Sequence, residues 1–219
     1  RGTQRLRISD VKAGGKVATF GGLPGIDIPP GASVLTDPIA LPVSAGQTVE
    51  LALSLPEGGR LAAVERGPDG KGGWIEEAGA RRDALPALFS ALDVASDRAR
   101  PVAVILSDTK SAGPGSWPAL LAARKDGRLG IVNRSVYGGH LALGPAGASA
   151  LARFDSDVLG TSGASHAVIF AGNNDLIQPG MIGSSGRPSL DPALMQSWGQ
   201  VIALLGQAAH RARAARLRP

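Results

Sequence analysis

Residues that could carry out chemistry follow three apolar runs in the second half of this 219-residue chain. The first cluster is "SDT" at 107–109, the second is "NRSVYGGH" at 133–140, and the third is "GNND" at 172–175. A hydroxyl can attack an ester carbonyl, a histidine can accept the hydroxyl proton, and amide or backbone N–H groups can stabilise the oxyanion that forms. Three polar clusters that each follow a buried strand predict one functional site at a common rim, and not only turns.

The elements between the clusters predict how they are positioned. Each apolar run (102–106, 129–133 and 166–172) is followed by a turn-rich segment and then by a helical pattern. Strands that alternate with helices form a parallel sheet, and ligands bind at the carboxyl ends of its strands. We therefore expect Thr109, Asn174 and the 134–139 loop to line one cleft.

Two helices are predicted from apolar spacing. The segment "GASALARFDSDVLG" carries Leu151, Phe154 and Val158 on one face. A second helix is expected to begin at Asp191-Pro192, because Asp suits the N-cap and Pro suits the first turn. Its apolar stripe runs through Leu194, Trp198, Val201, Ile202, Leu205 and Ala209.

The first 97 residues have a different pattern, with short apolar runs between Gly- and Pro-rich turns. Alternation over 49–55 predicts a strand, and the segment 32–43 is a further candidate. We predict a small β-rich domain over 1–97 and an α/β domain over 98–219, the latter containing three strands and their helices.

Composition narrows the classes of function. The net charge is +5 and the excess arginines cluster at the two ends, without a basic stripe interleaved with aromatic residues, so no nucleic-acid partner is expected. The absence of Cys excludes thiol catalysis and thiolate metal sites. We expect no cofactor, no metal and no membrane span. The chain begins with Arg, which indicates a processed or trimmed product; an exported or periplasmic location is favoured over a cytoplasmic one, and the localisation is left open.

The three clusters resemble the sequence blocks of the SGNH (GDSL-type) hydrolase family. "SDTKSAG" is similar to its Gly-Asp-Ser block, "VNRSVYGGH" to its second block, and "AGNNDL" matches its Gly-x-Asn-Asp block in full. The segment "SALARFDSDVL" also resembles members of the family that carry an N-terminal β domain. The resemblance implies a flavodoxin-like parallel sheet preceded by a small β-rich domain, with the sheet incomplete in this chain.

The resemblance also implies roles for individual residues. Thr109 stands at the nucleophile position and Asp108 supports the same turn. Asn174 corresponds to the side chain that stabilises the oxyanion, and the backbone donor is either Ser135 or Gly138. The implied substrate is an acyl or acetyl ester, with esters of carbohydrates among the candidates.

Two departures separate this chain from the family pattern. Thr109 replaces Ser, and its β-methyl group restricts the side chain and crowds the path of attack. The family's final Asp-x-x-His block does not occur. Of the three histidines, His166 is expected at the opposite end of the sheet and His210 on a solvated helix. His140 is the candidate base, although no orienting partner can be named for it.

No apolar run follows the last predicted helix, so the sheet has three strands and an unpaired edge. Three explanations stand. The chain is a piece of a longer protein, a second polypeptide segment completes the sheet and supplies the Asp and His, or the chain is a degenerate homologue that binds without turnover. We favour the first.

Three functions follow from these observations. The leading one is ester hydrolysis. The second is a non-catalytic protein that binds a glycan or a partner on the same scaffold, which Thr109 and the absent Asp-x-x-His favour. The third, a nucleotide-binding flavodoxin-like domain, is weaker because "SAGPGS" has no lysine placed to serve phosphate groups.

Overall fold

The computed structural model divides the chain into two compact units, which we describe separately. It describes residues 5–44, 47, 49–55, 89–97, 100–107, 111, 115–124, 128–136, 138–144, 148–183 and 186–218, and the backbone of 73–77 and 80–84. Unit 1 comprises Arg1–Val64 and Glu76–Arg81, and unit 2 comprises Glu65–Ile75 and Arg82–Pro219. The boundary predicted between residues 97 and 98 stays a prediction, since a compact unit is not the same as an independently folding domain.

Antiparallel pairing organises unit 1. Strands β1 (Leu6–Ile8) and β4 (Ile26–Ile28) pair with each other, while β3 (Lys16–Ala18), β2 (Asp10–Ala13) and β5 (Leu51–Ser54) form a three-stranded sheet in that order. Gly14 and Gly15 join β2 to β3 with φ values of 54° and 77°. Glycines suit these left-handed positions because a side chain would be strained there. Two further strands, β6 (Gly73–Glu77) and β7 (Ala80–Ala84), form a two-stranded sheet of their own, and only residues 76–81 of this segment belong to unit 1.

The prediction of a strand within 49–55 is confirmed by β5, in which Leu51 and Leu53 are half-buried while Ala52 and Ser54 are exposed. The prediction of a strand over 32–43 is wrong, because no residue of that segment lies in a strand. Two prolines in it cannot donate to a ladder. In addition, the Asp37 carboxylate accepts the hydroxyl of Thr19 at 2.6 Å and two backbone N–H groups, which favours a loop.

The stability of the loop that the Asp37 carboxylate holds should depend on pH. The hydrogen bond from Thr19, followed by those from the N–H groups of Gly22 and Gly21, lowers the pKa of Asp37. When folding lowers the pKa of a carboxyl group, the ionised group stabilises the folded state. This stabilisation is fully present above the unfolded-state pKa of about 3.9, and it is lost as the pH falls through the folded-state pKa. We expect Asp37→Asn to speed amide exchange at Gly21 and Gly22 near neutral pH. The difference in exchange rate between Asp37→Asn and the parent chain should vanish in acid. A difference that stays constant at all pH values would contradict the prediction.

A three-stranded parallel sheet forms the centre of unit 2, so the predicted α/β class with a parallel sheet is confirmed. Strand β8 (Val102–Ser107) lies between β9 (Gly130–Asn133) and β10 (Ala164–Phe170). Val104, Ile105 and Leu106 in β8 are at most 1% exposed. A parallel strand is covered on both faces, which explains why β8 is a continuous apolar run and not an alternating one.

In the described part of unit 2, α1 (Trp117–Arg124) lies between β8 and β9, and α2 (Ala150–Phe154) lies between β9 and β10. Helices α3 (Asn173–Ile177) and α4 (Trp198–Ala214) follow β10. The predicted helix over "SALARFDSDVL" is present as α2 followed by a π-helical turn at Asp155–Leu159. Its residues Phe154 and Val158 are almost completely buried in the core. Among the described residues, no helix is long and apolar enough to cross a membrane.

The start of the last helix was predicted wrongly. Asp191 caps only a short 3-10 turn at Pro192–Leu194. Helix α4 begins at Trp198, where Ser197 and Gln200 form a capping box that satisfies both helix-end N–H groups. The predicted stripe is also rotated, since Val201 is buried whereas Trp198 is 72% exposed.

We expected no residue after α4 to pair with the sheet, and this expectation is wrong for Arg218. After α4, Leu217 is buried, and Arg218 forms an isolated parallel bridge with His166. The Arg218 N–H donates to Ser165 O and its carbonyl accepts from Ala167 N–H, both at 2.9 Å. His166 itself lies inside β10, near its amino end.

Candidate functional site

Two buried, hydrogen-bonded hydroxyl groups lie at the carboxyl end of the central strand β8. Ser107 is the last residue of β8, and the Ser111 hydroxyl donates to its Oγ at 2.8 Å. Trp117, at the start of α1, donates its indole N–H to Ser111 Oγ at 3.0 Å. Ser111 is completely buried, so it is occupied in holding the two ends of this connection and is not accessible to a substrate.

Two predicted site residues lie between those two serines. Asp108 and Thr109 lie outside the described residues. The predicted cleft therefore stays a prediction as far as Thr109 is concerned.

The exit of β9 is tied to the exit of β8. Asn133 donates its amide N–H to Ser111 O at 2.6 Å, and its Oδ1 accepts the backbone N–H of Ser135 at 3.1 Å. The backbone N–H of Val136 donates to Ser107 O at 3.1 Å. The first residues of the 134–139 loop are thus fixed beside the end of β8.

The two candidate backbone donors differ in their partners. Because the N–H of Ser135 already donates to Asn133, it is engaged within its own turn. Gly138 adopts a φ of 71°, and within the described part of the chain its N–H donates to no acceptor. Of the two, Gly138 therefore offers the more accessible N–H.

The exit of β10 holds the same loop from the other side. Gly172 follows the strand with a φ of 112°, and a Cβ there would lie 2.6 Å from Val201 Cγ1. Asn174 is 7% exposed and donates its amide N–H to Gly139 O at 2.7 Å. The side chain amide is thus held in one orientation at the start of α3.

Asp175 is the structural centre of this region. Its carboxylate is fully buried and accepts the backbone N–H groups of Leu141, Ala142 and Leu143 at 2.7, 2.9 and 3.2 Å. A buried carboxylate is tolerated only with such compensation. This role was not predicted; the only signal for it is an acidic residue directly after the matched Asn.

His140 lies between the residues that Asn174 and Asp175 hold. It is 2% exposed, and within the described part of the chain neither ring nitrogen has a hydrogen-bond partner. Its backbone carbonyl accepts from Ala150 N–H at 2.9 Å, which connects the loop to α2. The only carboxylate described next to this segment, Asp175, is occupied by backbone N–H groups and does not orient the imidazole.

The structure therefore joins the three strand exits into one network of hydrogen bonds. Asn133 links β9 to the β8 exit, and Asn174 and Asp175 link α3 to the loop after β9. The side chains in this network are two amides and one carboxylate, and the buried imidazole of His140 lies beside them without a hydrogen bond. Amide N–H groups suit the stabilisation of negative charge on a carbonyl oxygen. Scanned against family models and searched against curated proteins, the chain matched none of them.

Proposed function

We propose that this chain carries the nucleophile and oxyanion portions of an SGNH-type ester hydrolase. The observation that carries the proposal is the Asn174 amide, which is buried and fixed at the edge where β8, β9 and β10 end. A preorganised donor at the edge where the parallel strands end is what a developing oxyanion requires. The strand order, with β8 between β9 and β10, also supports a flavodoxin-like sheet.

Each residue has a role in this proposal. Thr109 is the nucleophile on the connection after Ser107, with Asp108 supporting its turn. Asn174 and the N–H of Gly138 stabilise the oxyanion. Gly138 is favoured over Ser135 because the N–H of Ser135 already donates to Asn133. Acyl or acetyl esters are the substrate class, with esterified carbohydrate as one candidate.

One observation favours a second function, a non-catalytic protein that binds a glycan or a partner. Within the described residues, no carboxylate orients an imidazole as a general base requires. Thr109 at the nucleophile position points in the same direction. The two functions differ in one property, namely whether a bound ester is cleaved.

Asn174→Ala tests the leading proposal, with Asn173→Ala as a matched control. Asn173 is the preceding residue in α3 and is exposed, so its loss removes the same side chain without affecting the site. We expect the hydrolysis of p-nitrophenyl acetate, measured at high protein concentration, to fall by roughly 10²-fold for Asn174→Ala, the effect of removing one oxyanion donor.

Two results would contradict the proposal. One is that both variants hydrolyse the ester at the rate of the parent chain. The other is that the parent chain hydrolyses the ester no faster than free imidazole does at equal concentration. A rate that free imidazole can reach does not require an organised site.

A further inference from the structure

Part of the solvent-exposed surface of α4 is apolar. Trp198, at the start of the helix, is 72% exposed, and Ile202, one turn later, is 66% exposed. Leu194 and Met195, shortly before the helix, are exposed as well, whereas Val201 belongs to the buried face of α4. Single exposed apolar side chains need no explanation, but several large ones side by side form a patch that indicates a partner.

Gly206 continues the row that Trp198 and Ile202 begin. Residues four positions apart are rotated by only about 40° around a helix, so these three positions form one ridge along α4. Gly206 is exposed, and a Cβ added to it would meet no atom within 4 Å. Gly is less favourable than Ala in a helix interior, and no contact in the described part of the chain requires it here. Gly206 thus leaves a gap in the exposed ridge that packing within one copy of the chain does not explain.

The largest and the smallest residue of this ridge are placed symmetrically. Trp198 lies four residues before Ile202, and Gly206 lies four residues after it. When two copies of α4 cross in antiparallel directions at Ile202, a two-fold axis places Trp198 of each copy opposite Gly206 of the other. Ridges of residues four positions apart interdigitate in this way in the commonest class of helix pair. The ridge is therefore complementary in shape to a second copy of itself.

The distribution of charge along α4 also favours a second copy. No Asp, Glu, Lys or Arg occurs from 192 to 210, so the crossing brings no like charges together. Arg211 and Arg213 lie in the last turn of α4, and in an antiparallel pair the last turns lie on opposite sides of the axis. A lipid surface fits less well, because a helix that lies on a membrane carries basic residues along its whole polar face.

We propose that this chain forms a symmetric dimer through α4, in which Trp198 of each copy fills the gap at Gly206 of the other. The two Ile202 side chains meet at the two-fold axis. Burial of two indole rings at the centre of the interface supplies most of its free energy of association, since Trp is among the residues that contribute most to such interfaces. The dimer does not depend on the proposed hydrolase activity, because the ridge contains no residue of the candidate site.

Analytical ultracentrifugation of the full chain from about 1 to 100 μM tests the proposal, and we expect the molar mass to rise towards that of a dimer. Gly206→Leu fills the gap and should weaken self-association at least about tenfold. Gln207→Leu is the matched control, because Gln207 is exposed and lies about 140° around the helix from Ile202. Circular dichroism should show that both variants keep their helices, since Leu is a better helix former than Gly and a Cβ at 206 meets no atom.

A pair of size changes tests the symmetry of the dimer. Trp198→Ala leaves a cavity in the interface and Gly206→Trp causes a clash, so each variant alone should stay monomeric over this range of concentration. When the two variants are mixed, the two large side chains of one face the two small residues of the other, and a heterodimer should form.

Four results would overturn the proposal. They are a parent chain that stays monomeric, equal self-association of Gly206→Leu and Gln207→Leu, a mixture of the size variants without heterodimer, and a monomeric parent chain that binds vesicles of anionic lipid through Trp198. The last result would assign the ridge to a membrane surface instead.

Discussion

Replacing Asp175 with Ala is expected to lower the free energy of unfolding of unit 2 by roughly 3–5 kcal/mol, a large part of the about 5–15 kcal/mol that stabilises a typical domain. The buried carboxylate accepts three consecutive backbone N–H groups, from Leu141 to Leu143. Ala removes all three acceptors at once. Since a buried donor without a partner costs roughly 1–3 kcal/mol, the losses sum to a large value even when water reaches part of the loop.

Urea unfolding followed by helical circular dichroism measures this effect, because all the described helices belong to unit 2. Asp175→Asn should lose less, since its carbonyl oxygen still accepts. Asp97→Ala is the matched control: Asp97 is exposed, so its replacement should change the stability by less than about 0.5 kcal/mol. If Asp175→Ala unfolds at the same urea concentration as Asp97→Ala, the carboxylate does not hold the loop.

The parallel sheet was predictable because a covered strand has a direct signature. The run at 102–106 is apolar without alternation, and only a strand covered on both faces requires that. The start of α4 was not predictable in the same way. Asp191-Pro192 and Ser197 with Gln200 both satisfy the rules for a helix start, and the structure uses the second because its capping box satisfies two N–H groups.

The candidate site was predictable as a set of strand exits but not as a network. The position of Asn174 follows from its place after an apolar run. The bonds from Asn133 to Ser111 and from Asp175 to the 141–143 backbone join segments that are distant in the sequence, and no local spacing encodes them. The burial of His140 was also not predicted, since a polar residue in a Gly-rich loop is usually expected to be exposed.

The chain of residues 1–219 is expected to hydrolyse aryl esters only weakly, and Thr109→Ser is expected to restore little of the activity. In enzymes that use a nucleophile, a base and an orienting acid, the members act as a unit. Loss of the base then costs on the order of a million-fold in turnover. A hydroxyl without a base is a weak nucleophile in Thr and in Ser alike. An oxyanion site alone still gives ~10³-fold over water, and Asn174→Ala should lower this remaining activity by roughly 10²-fold.

The decisive comparison measures ester hydrolysis by the parent chain, by Thr109→Ser, and by each of these mixed with a segment that contains an Asp-x-x-His block. Activity that needs the segment would support the absence of the base as the limiting defect. Robust turnover by the unmixed parent chain that is lost in His140→Gln would contradict it, because the buried imidazole of His140 would then be the base. No turnover in any mixture, together with retained binding of an ester or a glycan, would favour the non-catalytic function. The experiment separates these cases because each one assigns the proton of the Thr109 hydroxyl to a different acceptor, or to none.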